Sequence, residues 1–258
     1  MDWKHNWPAV VLPAVVLVLS VLAWQAIVSF SGLEAYILPG PIEVADTMWN
    51  RAGALTEYTL RTGLVALAGF LLSVVLGVGV SLVFSQSSIL RQSGYPYAIF
   101  FQTVPIVAVA PLVIAIFGYG MLSIVVVTTM ISLFPIITST TTGLTSVDPG
   151  LLDLFRLNQA TRWQILWKLQ LPGAIRYLLT GMKTSAGLAV VGAIVGEFFA
   201  GHGGGGQGLG YFILVSKSQM NTAHLFAGTL CSTLLGVFVF ASISLVGRFL
   251  LRRWVWES

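Results

Sequence analysis

Charged side chains are scarce in this chain. Only 9% of its 258 residues are charged, whereas 56% are hydrophobic. An ordinary soluble domain carries roughly a quarter of its residues as charges, so a water-soluble fold of this composition would leave much apolar surface exposed. The apolar residues come in blocks of about twenty, the length that crosses the ~30 Å hydrocarbon core of a bilayer. The composition therefore excludes an ordinary soluble domain and indicates an integral membrane protein.

Groups that carry catalytic chemistry are also few. The single cysteine, Cys231, excludes an intramolecular disulfide. His5, His202 and His224 lie outside the apolar blocks, without cysteine or acidic neighbours at metal-ligand spacing, so we expect no metal site. No nucleophile, base and orienting acid can be placed together, because the apolar blocks contain no histidine. We therefore expect no catalytic centre in this chain.

Nucleotide and nucleic-acid signatures are missing as well. The glycine-rich stretch at 203–210 lacks the pattern G-x-x-x-x-G-K-[ST], since no Gly-Lys pair occurs in the chain. The net charge is +4, but no basic stripe with interleaved aromatic residues accompanies it. We therefore expect neither a bound cofactor on this chain nor a nucleic-acid partner.

Six apolar blocks are present, and each is long enough to cross the membrane as a helix. They comprise residues 8–30, 59–84, 95–117, 121–144, 177–200 and 226–251. The first block is longer than the roughly 7 to 15 apolar residues of a signal-peptide core, so we interpret it as a retained anchor. Pro105, Pro111 and Pro135 interrupt the third and fourth blocks, which membrane helices tolerate when neighbours satisfy the freed carbonyl groups. The sequence thus predicts an all-α membrane protein with six transmembrane helices.

The segment 31–58 between the first two blocks is mostly polar but carries apolar residues at helical spacing. These residues are Ile42, Ala45, Met48, Trp49, Ala52 and Leu55. We predict an amphipathic helix there, lying along the external membrane surface. The chain then divides into an N-terminal part, 1–58, and a five-helix core, 59–258, with a large loop at about 145–176 between helices 4 and 5.

Lysine and arginine are unevenly distributed, and cytoplasmic loops are enriched in these residues. One side carries Lys4, Arg91, Arg156, Arg162, Lys168, Arg176, Arg248, Arg252 and Arg253, with Lys183 nearby. The other side carries Arg51, Arg61 and Lys217. We therefore expect both termini and the loop at 145–176 in the cytoplasm, and the glycine-rich stretch outside.

The large loop is predicted to fold as two short helices joined by a turn. The Asp-Pro-Gly run at 148–150 marks the start of the first helix. Thr161 and Gln164 fit a capping box, in which each side chain bonds a backbone N–H at the start of the second helix. The Leu-Pro-Gly run at 171–173 is expected to end that helix.

The second short helix presents Trp163, Leu166, Trp167 and Gln170 along one side at helical spacing. Two tryptophans between two cations make a plausible protein-docking face, because Trp and Arg dominate interface hot spots. The alternative is an interfacial helix whose tryptophans lie at the level of the lipid headgroups. Spacing alone leaves both interpretations open.

The loop resembles the cytoplasmic coupling loop of binding-protein-dependent ABC importer permeases, a motif usually written E-A-A-x-x-x-G and closed by L-P. The acidic position falls on Asp153, and the closing Leu-Pro is present. Leu154 and Phe155 stand in place of the two alanines, and Gln159 in place of the glycine. A left-handed turn at a non-glycine residue costs ~1 to 2 kcal/mol. Asn158, which tolerates that conformation better, is an alternative position for the turn.

Three further stretches resemble one subfamily of these permeases, the one that imports sulfonates, nitrate, taurine and pyrimidine or riboflavin-type vitamin precursors. The sequence TVPIVAVAPL at 103–112, followed by FGYG at 117–120, resembles its central pore helix. The sequences AVVGAIVGEF at 189–198 and GLGY at 208–211 resemble the same group and lean toward its vitamin-precursor branch.

The resemblance implies a type I ABC importer permease fold in the inner (plasma) membrane. The chain would be a permease subunit that moves a small solute, such as a vitamin precursor or a sulfonate- or nitrate-type anion, into the cytoplasm. Implied partners are a cytoplasmic ABC ATPase dimer that holds ATP and Mg²⁺, a second permease copy and an extracytoplasmic solute-binding protein. An ATP-independent secondary transporter or channel is the alternative; coupled carriers, however, place ionisable groups near the bilayer midplane, and none here lies deeper than Glu197.

Two sets of residues are candidates for function under this resemblance. The ATPase-coupling set is Asp153, Arg156, Asn158, Gln159, Ala160, Arg162, Trp163, Trp167, Lys168 and Pro172. The solute-path set is Gln102, Thr103, Pro105, Thr184, Ser185 and Glu197. Glu197 is the one acid inside an apolar block, and both a functional and a structural role are open for it. We interpret the glycine-rich stretch as a contact for the binding protein, with a passive linker as the alternative.

The fifth block carries small residues at a spacing that lets membrane helices approach closely. These residues are Gly181, Ser185, Ala189, Gly192 and Gly196. Packing within the chain and packing against a second permease copy both fit the pattern. Because two permease subunits enclose one pathway in the resembling family, we expect the second use.

Overall fold

The computed structural model describes most of the chain. It covers residues 7–32, 34, 36–201 and 207–254. Within these ranges, side-chain burial is described from 11 to 249. Lys4, His5 and the stretch 202–206 of the sequence analysis lie outside the described residues, as do the side chains of Arg252 and Arg253.

Every regular element in the described ranges is helical. The elements are α1 Trp7–Ser31, α2 Pro41–Asn50, α3 Ala52–Gln86, α4 Ser88–Thr103, α5 Ile106–Phe117, α6 Met121–Thr145, α7 Pro149–Leu157, α8 Arg162–Ile165, a π-helical segment Leu166–Gln170, α9 Leu171–Ala200, α10 Leu209–Ser218 and α11 Thr222–Trp254. Five continuous helical stretches are long and apolar enough to cross a bilayer, and there are six such spans when the bent pair α4 and α5 is counted as one. The predicted all-α architecture with six spans is confirmed in this form.

The third apolar block is not the single helix that we predicted. It is divided between α4 and α5, whose axes differ by 97°. Pro105 lacks a backbone N–H and disfavours the helical conformation of the residue before it, and Val104 is accordingly extended, with φ −67° and ψ 124°. Both helices of this bent pair contact α6.

The core of the fold is the antiparallel pair α6 and α9. A methyl group on Gly192 would lie 2.9 Å from the Thr128 Cα, and one on Gly181 would lie 2.8 Å from the Pro135 carbonyl oxygen. Backbones this close gain dispersion contacts, which drive helix association in lipid where the hydrophobic effect does not. Ser185 adds a hydrogen bond of 2.6 Å from its hydroxyl to the Ser132 carbonyl oxygen.

These contacts correct our interpretation of the small residues in the fifth block. Ser185 and Ala189 are fully buried inside the single chain, and Gly181, Gly192 and Gly196 face α6 at backbone distance. The pattern therefore serves packing within the chain and not an interface with a second copy. The prediction failed because spacing identifies a close-packing face but not the helix that covers it.

The helix of the fifth block begins earlier than predicted. Leu171-Pro172-Gly173 does not end the second loop helix, because α8, the π-helical segment and α9 form one run of 39 residues from Arg162 to Ala200. The Leu171 N–H bonds the Leu166 carbonyl, one residue beyond the α-helical partner. Pro172 then falls in the first turn of α9, where its missing N–H is tolerated. We call this continuous stretch the α8–α9 run.

The predicted starts of the two loop helices are confirmed, whereas the predicted end of the second is not. Asp148 accepts from the N–H groups of Gly150 at 2.7 Å and Leu151 at 3.1 Å, which starts α7. Both bonds of the capping box are present, from the Thr161 N–H to Gln164 Oε1 at 2.8 Å and from the Gln164 N–H to Thr161 Oγ1 at 3.3 Å. These bonds satisfy donors that a helix start leaves without partners.

The turn between α7 and α8 lies at Gln159, which has a φ of +53°. The alternative position, Asn158, is wrong, since its φ is −83°. Two bonds close the helix end, from the Gln159 N–H to the Arg156 carbonyl at 2.9 Å and from the Ala160 N–H to the Phe155 carbonyl at 3.0 Å. This is the Schellman arrangement, whose left-handed position normally holds glycine.

Most described side chains of α1 and α2 are exposed, and a few of them pack on the five-helix core. The predicted amphipathic segment contains the helix α2, whose Val44 is buried against Leu209 and Ala227. Trp24 of α1 packs on Phe226, with ring centroids 5.6 Å apart. The predicted division at 58/59 falls inside the continuous helix α3, so Leu55 belongs to that helix.

The first prediction concerns the contact between α6 and α9. Replacing Gly192 by alanine should lower the stability of the detergent-solubilised chain by about 1–3 kcal/mol, because the new methyl group overlaps the α6 backbone. Gly187 lies in the same helix, and a methyl group placed on it would meet no atom within 4 Å. Gly187→Ala is therefore the matched control and should be neutral or slightly stabilising. Equal thermal unfolding of the two variants would contradict the packing described here.

The second prediction concerns the turn. Gln159→Gly should relieve about 1 kcal/mol of left-handed strain and slow hydrogen exchange at the Ala160 amide by about fivefold. Asn158→Gly should do the opposite, because it removes the 2.8 Å bond from the Asn158 side chain to the Leu154 carbonyl. Faster exchange in Gln159→Gly than in the native chain would show that the turn lies elsewhere.

Candidate coupling surface and solute path

The loop between α6 and α9 exposes large apolar side chains. Exposed fractions are 55% for Leu154, 82% for Leu157, 69% for Trp163 and 64% for Trp167. We call these four residues the coupling surface. Leu166 is only 4% exposed and packs on Leu144 and Ala174, so the prediction that it shares the exposed side of the tryptophans is wrong.

The polar members of the predicted coupling set surround this surface. Asp153 and Arg156 form an exposed ion pair of 3.4 Å on α7, a contact that is worth little in water. Arg162 and Lys168 are exposed beside the tryptophans. Asn158, Gln159 and Pro172 are exposed and Ala160 is half-buried. The structure thus brings the predicted residues into one exposed segment.

The inner end of the α8–α9 run explains how the tryptophans are held. Leu166 anchors the π-helical segment against Leu144 at the end of α6 and Ala174 in α9. Trp163 and Trp167 are one helical turn apart and project together from the neighbouring exposed side of the helix. The coupling surface is consequently fixed to the core by one buried leucine cluster.

A cavity of about 440 Å³ lies at the bend between α4 and α5. Its lining is apolar except for one amide side chain, and it contains no charged residue. The lining residues are Phe101, Gln102, Val104, Ile106, Val109, Met130, Ile131, Leu133, Phe134 and Leu188. Two aromatic rings and one amide therefore meet in a space large enough for a small organic ring system.

The predicted solute-path residues are distributed over three environments. Gln102 lines the cavity. Thr103 and Pro105 are exposed at the bend, and Thr184 is exposed on α9. Ser185 is fully buried between α6 and α9. The roles of these six residues stay predictions. Of the six, Gln102 is the one that lines the cavity together with the aromatic rings.

Glu197 lies in a buried hydrogen-bond cluster at the other end of the α8–α9 run. Its side chain is 1% exposed. The Thr62 hydroxyl of α3 donates to Oε1 at 2.8 Å, and the Gly210 N–H of α10 donates to Oε2 at 2.7 Å. The Thr62 oxygen accepts in turn from the Leu209 N–H at 2.8 Å. We call these groups the clasp.

Sequence reasoning missed the partners that tertiary structure supplies. Phe134 and Leu188 line the cavity from α6 and α9, and Thr62 binds Glu197 across 135 positions of sequence. A lone threonine in an apolar block carries no signal of its own, because such hydroxyls usually bond their own helix. The aromatic pair had no spacing signal either, since Phe101 and Phe134 lie on different helices.

Comparison with known proteins gives consistent matches. A family model described as a binding-protein-dependent transport system inner membrane component matches residues 69–254. The riboflavin transport system permease protein RibX of Chloroflexus aurantiacus is 35% identical over 257 residues, which cover 99% of this chain and 93% of that protein. The formylaminopyrimidine transport permease protein ThiX of Halalkalibacterium halodurans is 32% identical, covering 93% of this chain and 94% of that protein.

The fold also matches a solved structure. A chain of the inward-facing MetNI methionine ABC transporter superposes with a TM-score of 0.61 and 19% identity, over 82% of this chain and 99% of that one. This match concerns the fold alone and confirms the expected ABC importer permease architecture. Together with the family match over residues 69–254, it leads to one conclusion. The chain belongs to the family of binding-protein-dependent transport system inner membrane components.

Proposed function

We propose that this chain is the transmembrane permease subunit of an ATP-driven ABC importer. The coupling surface is the observation that carries the proposal. Its tryptophans lie on the same continuous helix as the glycines that pack against α6. A protein that docks on Trp163 and Trp167 therefore acts directly on the core of the membrane domain. Exposed tryptophans beside cations are typical of binding hot spots.

The proposed ATPase partner supplies the nucleotide-binding chemistry for which this chain has no motif. The chain has no Gly-Lys pair and so no phosphate-binding P-loop, and we assign ATP and Mg²⁺ to a separate cytoplasmic ATPase dimer. An extracytoplasmic solute-binding protein delivers the solute. The ATPase docks on the coupling surface from the cytoplasm and moves the α8–α9 run.

The orientation in the inner membrane follows from the charges at the two ends of the helices. Arg91, Arg176 and Arg248 lie toward the end that carries the coupling surface, whereas Arg61 and Lys217 lie toward the other end. Positive residues mark the cytoplasmic side. Both termini and the coupling surface are therefore assigned to the cytoplasm, and α10 to the outside.

A second copy of the chain completes the solute path in this proposal. No residue of α4 is buried within one chain. The apolar side chains of α4 are compatible with lipid, but the exposed amide of Gln102 is not, because an unpaired amide in hydrocarbon costs several kcal/mol, roughly 2–7. Facing a second copy across a path that admits water satisfies that amide, so we place the cavity on the path.

The cavity favours an uncharged ring system as the solute. An anion such as a sulfonate requires a cation or several donors when it leaves water. The described lining offers one amide and no cation, whereas Phe101 and Phe134 offer faces for stacking. RibX and ThiX are named for riboflavin and a formylaminopyrimidine, both heteroaromatic. We therefore propose a riboflavin- or pyrimidine-type vitamin precursor as the solute.

A secondary transporter has less support. Ion-coupled carriers use ionisable groups that solute or ions reach near the bilayer midplane. Glu197 is enclosed within the chain, and its carboxylate oxygens accept from Thr62 and Gly210. The coupling surface would also have no function in such a carrier.

The third prediction tests the coupling surface. Trp163→Ala together with Trp167→Ala should abolish co-purification of the ATPase and reduce uptake at least tenfold, since an exposed tryptophan that a partner buries on docking contributes about 2 kcal/mol or more to binding. The measurements are co-purification of the partner ATPase with the tagged chain and solute uptake in proteoliposomes.

Trp49→Ala is the matched control for the tryptophan variants. Trp49 is 84% exposed but lies on α2, at the opposite end of the fold from the coupling surface. This variant should bind the ATPase and support uptake like the native chain. Normal ATPase binding by the double variant would refute the coupling role.

The fourth prediction tests the solute path. Gln102→Leu and Phe134→Ala should each raise the KM for uptake of a flavin or pyrimidine by about five- to thirtyfold, the effect of losing 1–2 kcal/mol of contact. Phe30→Ala is the control, because Phe30 is 91% exposed at the end of α1. Uptake should be measured with labelled riboflavin, a labelled aminopyrimidine and a labelled alkanesulfonate. Uptake of the sulfonate alone would contradict the assignment of solute class.

A further inference from the structure

The clasp joins three helices at the external end of the protein. Glu197 belongs to α9, Thr62 to α3, and the two N–H groups to the first residues of α10. The two ion pairs among the described residues are exposed, and neither includes Glu197. The donors that complement this carboxylate are therefore a hydroxyl and the N-terminus of a ten-residue helix. A helix N-terminus favours an acidic group because its N–H groups lack partners and carry partial positive charge.

The fit at the clasp leaves no free space. A methyl group on Gly208 would lie 2.1 Å from Glu197 Oε1 and 2.4 Å from Thr62 Oγ1. One on Gly210 would lie 2.5 Å from the Ile194 carbonyl oxygen. The backbone of α10 thus rests directly on the acid and on the helix that carries it. A contact this close transmits displacement, because packed interiors resist compression.

The clasp and the coupling surface lie at opposite ends of one helix. The α8–α9 run spans 39 residues, which is about 58 Å at 1.5 Å per residue. Trp163 is its second residue, and Glu197 lies in its last turn, before Ala200 at the external end. Between them the run is held against α6 at backbone distance. Displacement of the inner end therefore reaches Glu197 without passing through a flexible loop.

We propose that the clasp transmits movement of the coupling surface to α10, so that the external mouth follows the ATPase cycle. Glu197 is a positioning residue in this mechanism: it holds the N-terminal end of α10 to α9 and does not contact solute. Thr62 extends the link to α3. The inference rests on the proposed function as an ABC importer permease. It adds the movement of α10 at the external end and the residues that transmit this movement.

The test uses the native transporter reconstituted with its ATPase and binding protein. Glu197→Ala and Thr62→Val remove the acceptor and the hydroxyl, respectively. Each should lower the amount of solute imported per ATP hydrolysed by about tenfold, equivalent to 1.4 kcal/mol. ATPase co-purification should stay close to native, because the cluster at Leu166 and the α6–α9 contact are untouched. The thermal unfolding temperature should fall modestly, because the variants leave a buried N–H group at the start of α10 without its partner. Thr62→Ser keeps the hydroxyl and should restore the native ratio.

Matched controls come from the exposed face of α3. Glu57→Ala removes an acid in an exposed ion pair with Arg61, and Thr56→Val removes a hydroxyl that bonds its own helix. Both should keep the native ratio of import to ATP hydrolysis. They separate the effect of the clasp from the general loss of an acid or a hydroxyl.

Two results would overturn the proposal. One is a native import ratio in both Glu197→Ala and Thr62→Val. The other is a parallel fall of uptake, ATPase co-purification and unfolding temperature in both variants, which would make the cluster a purely structural element. If the native chain itself neither bound the ATPase nor imported solute, the proposed function would have failed instead, and the two failures are thus distinguishable.

Discussion

α6 and α9 lie so close that a single methyl group does not fit between them at Gly181, Gly192 or Gly196. In lipid there is no hydrophobic gain from bringing helices together, so dispersion at this distance and bonds such as that from Ser185 to the Ser132 carbonyl have to hold the pair. The same closeness makes α9 stiff over most of its length. Because α9 is stiff, displacement of its inner end is transmitted to its outer end.

Hydropathy and cap chemistry predicted the parts of the fold that depend on local sequence. Blocks of apolar residues located the spans, and Thr161 with Gln164 located the start of α8, because both signals are satisfied within a few residues. What sequence did not reveal depends on contacts between distant segments. The partner of the small residues in α9 and the binding of Glu197 by Thr62 are of this kind.

Two prolines show why the helix ends were the least predictable features. Pro105 breaks its block because Val104 before it is extended, and the bend creates the cavity with Gln102. Pro172 breaks nothing, because it falls in the first turn of α9 behind a π-helical segment. The sequence analysis treated Pro105 as a tolerated interruption of one helix and predicted a helix end at Pro172, and the structure reverses both expectations. At Pro172 the helix continues through a π-type turn, in which the Leu171 N–H bonds the Leu166 carbonyl and Leu166 is buried against Leu144 and Ala174.

The structure gives physical reasons for the residues that depart from the family's coupling motif. Gln159 takes the left-handed position despite its strain, because the Schellman bonds at its two sides fix the turn. Leu154 and Phe155 stand where small residues would permit close packing, yet no residue of α7 is buried within the chain. Their bulk therefore costs nothing here and enlarges the surface offered to a partner. Under the proposed function, an ATPase that docks on this loop needs a groove wide enough for these side chains, so we expect α7 to contribute to partner choice.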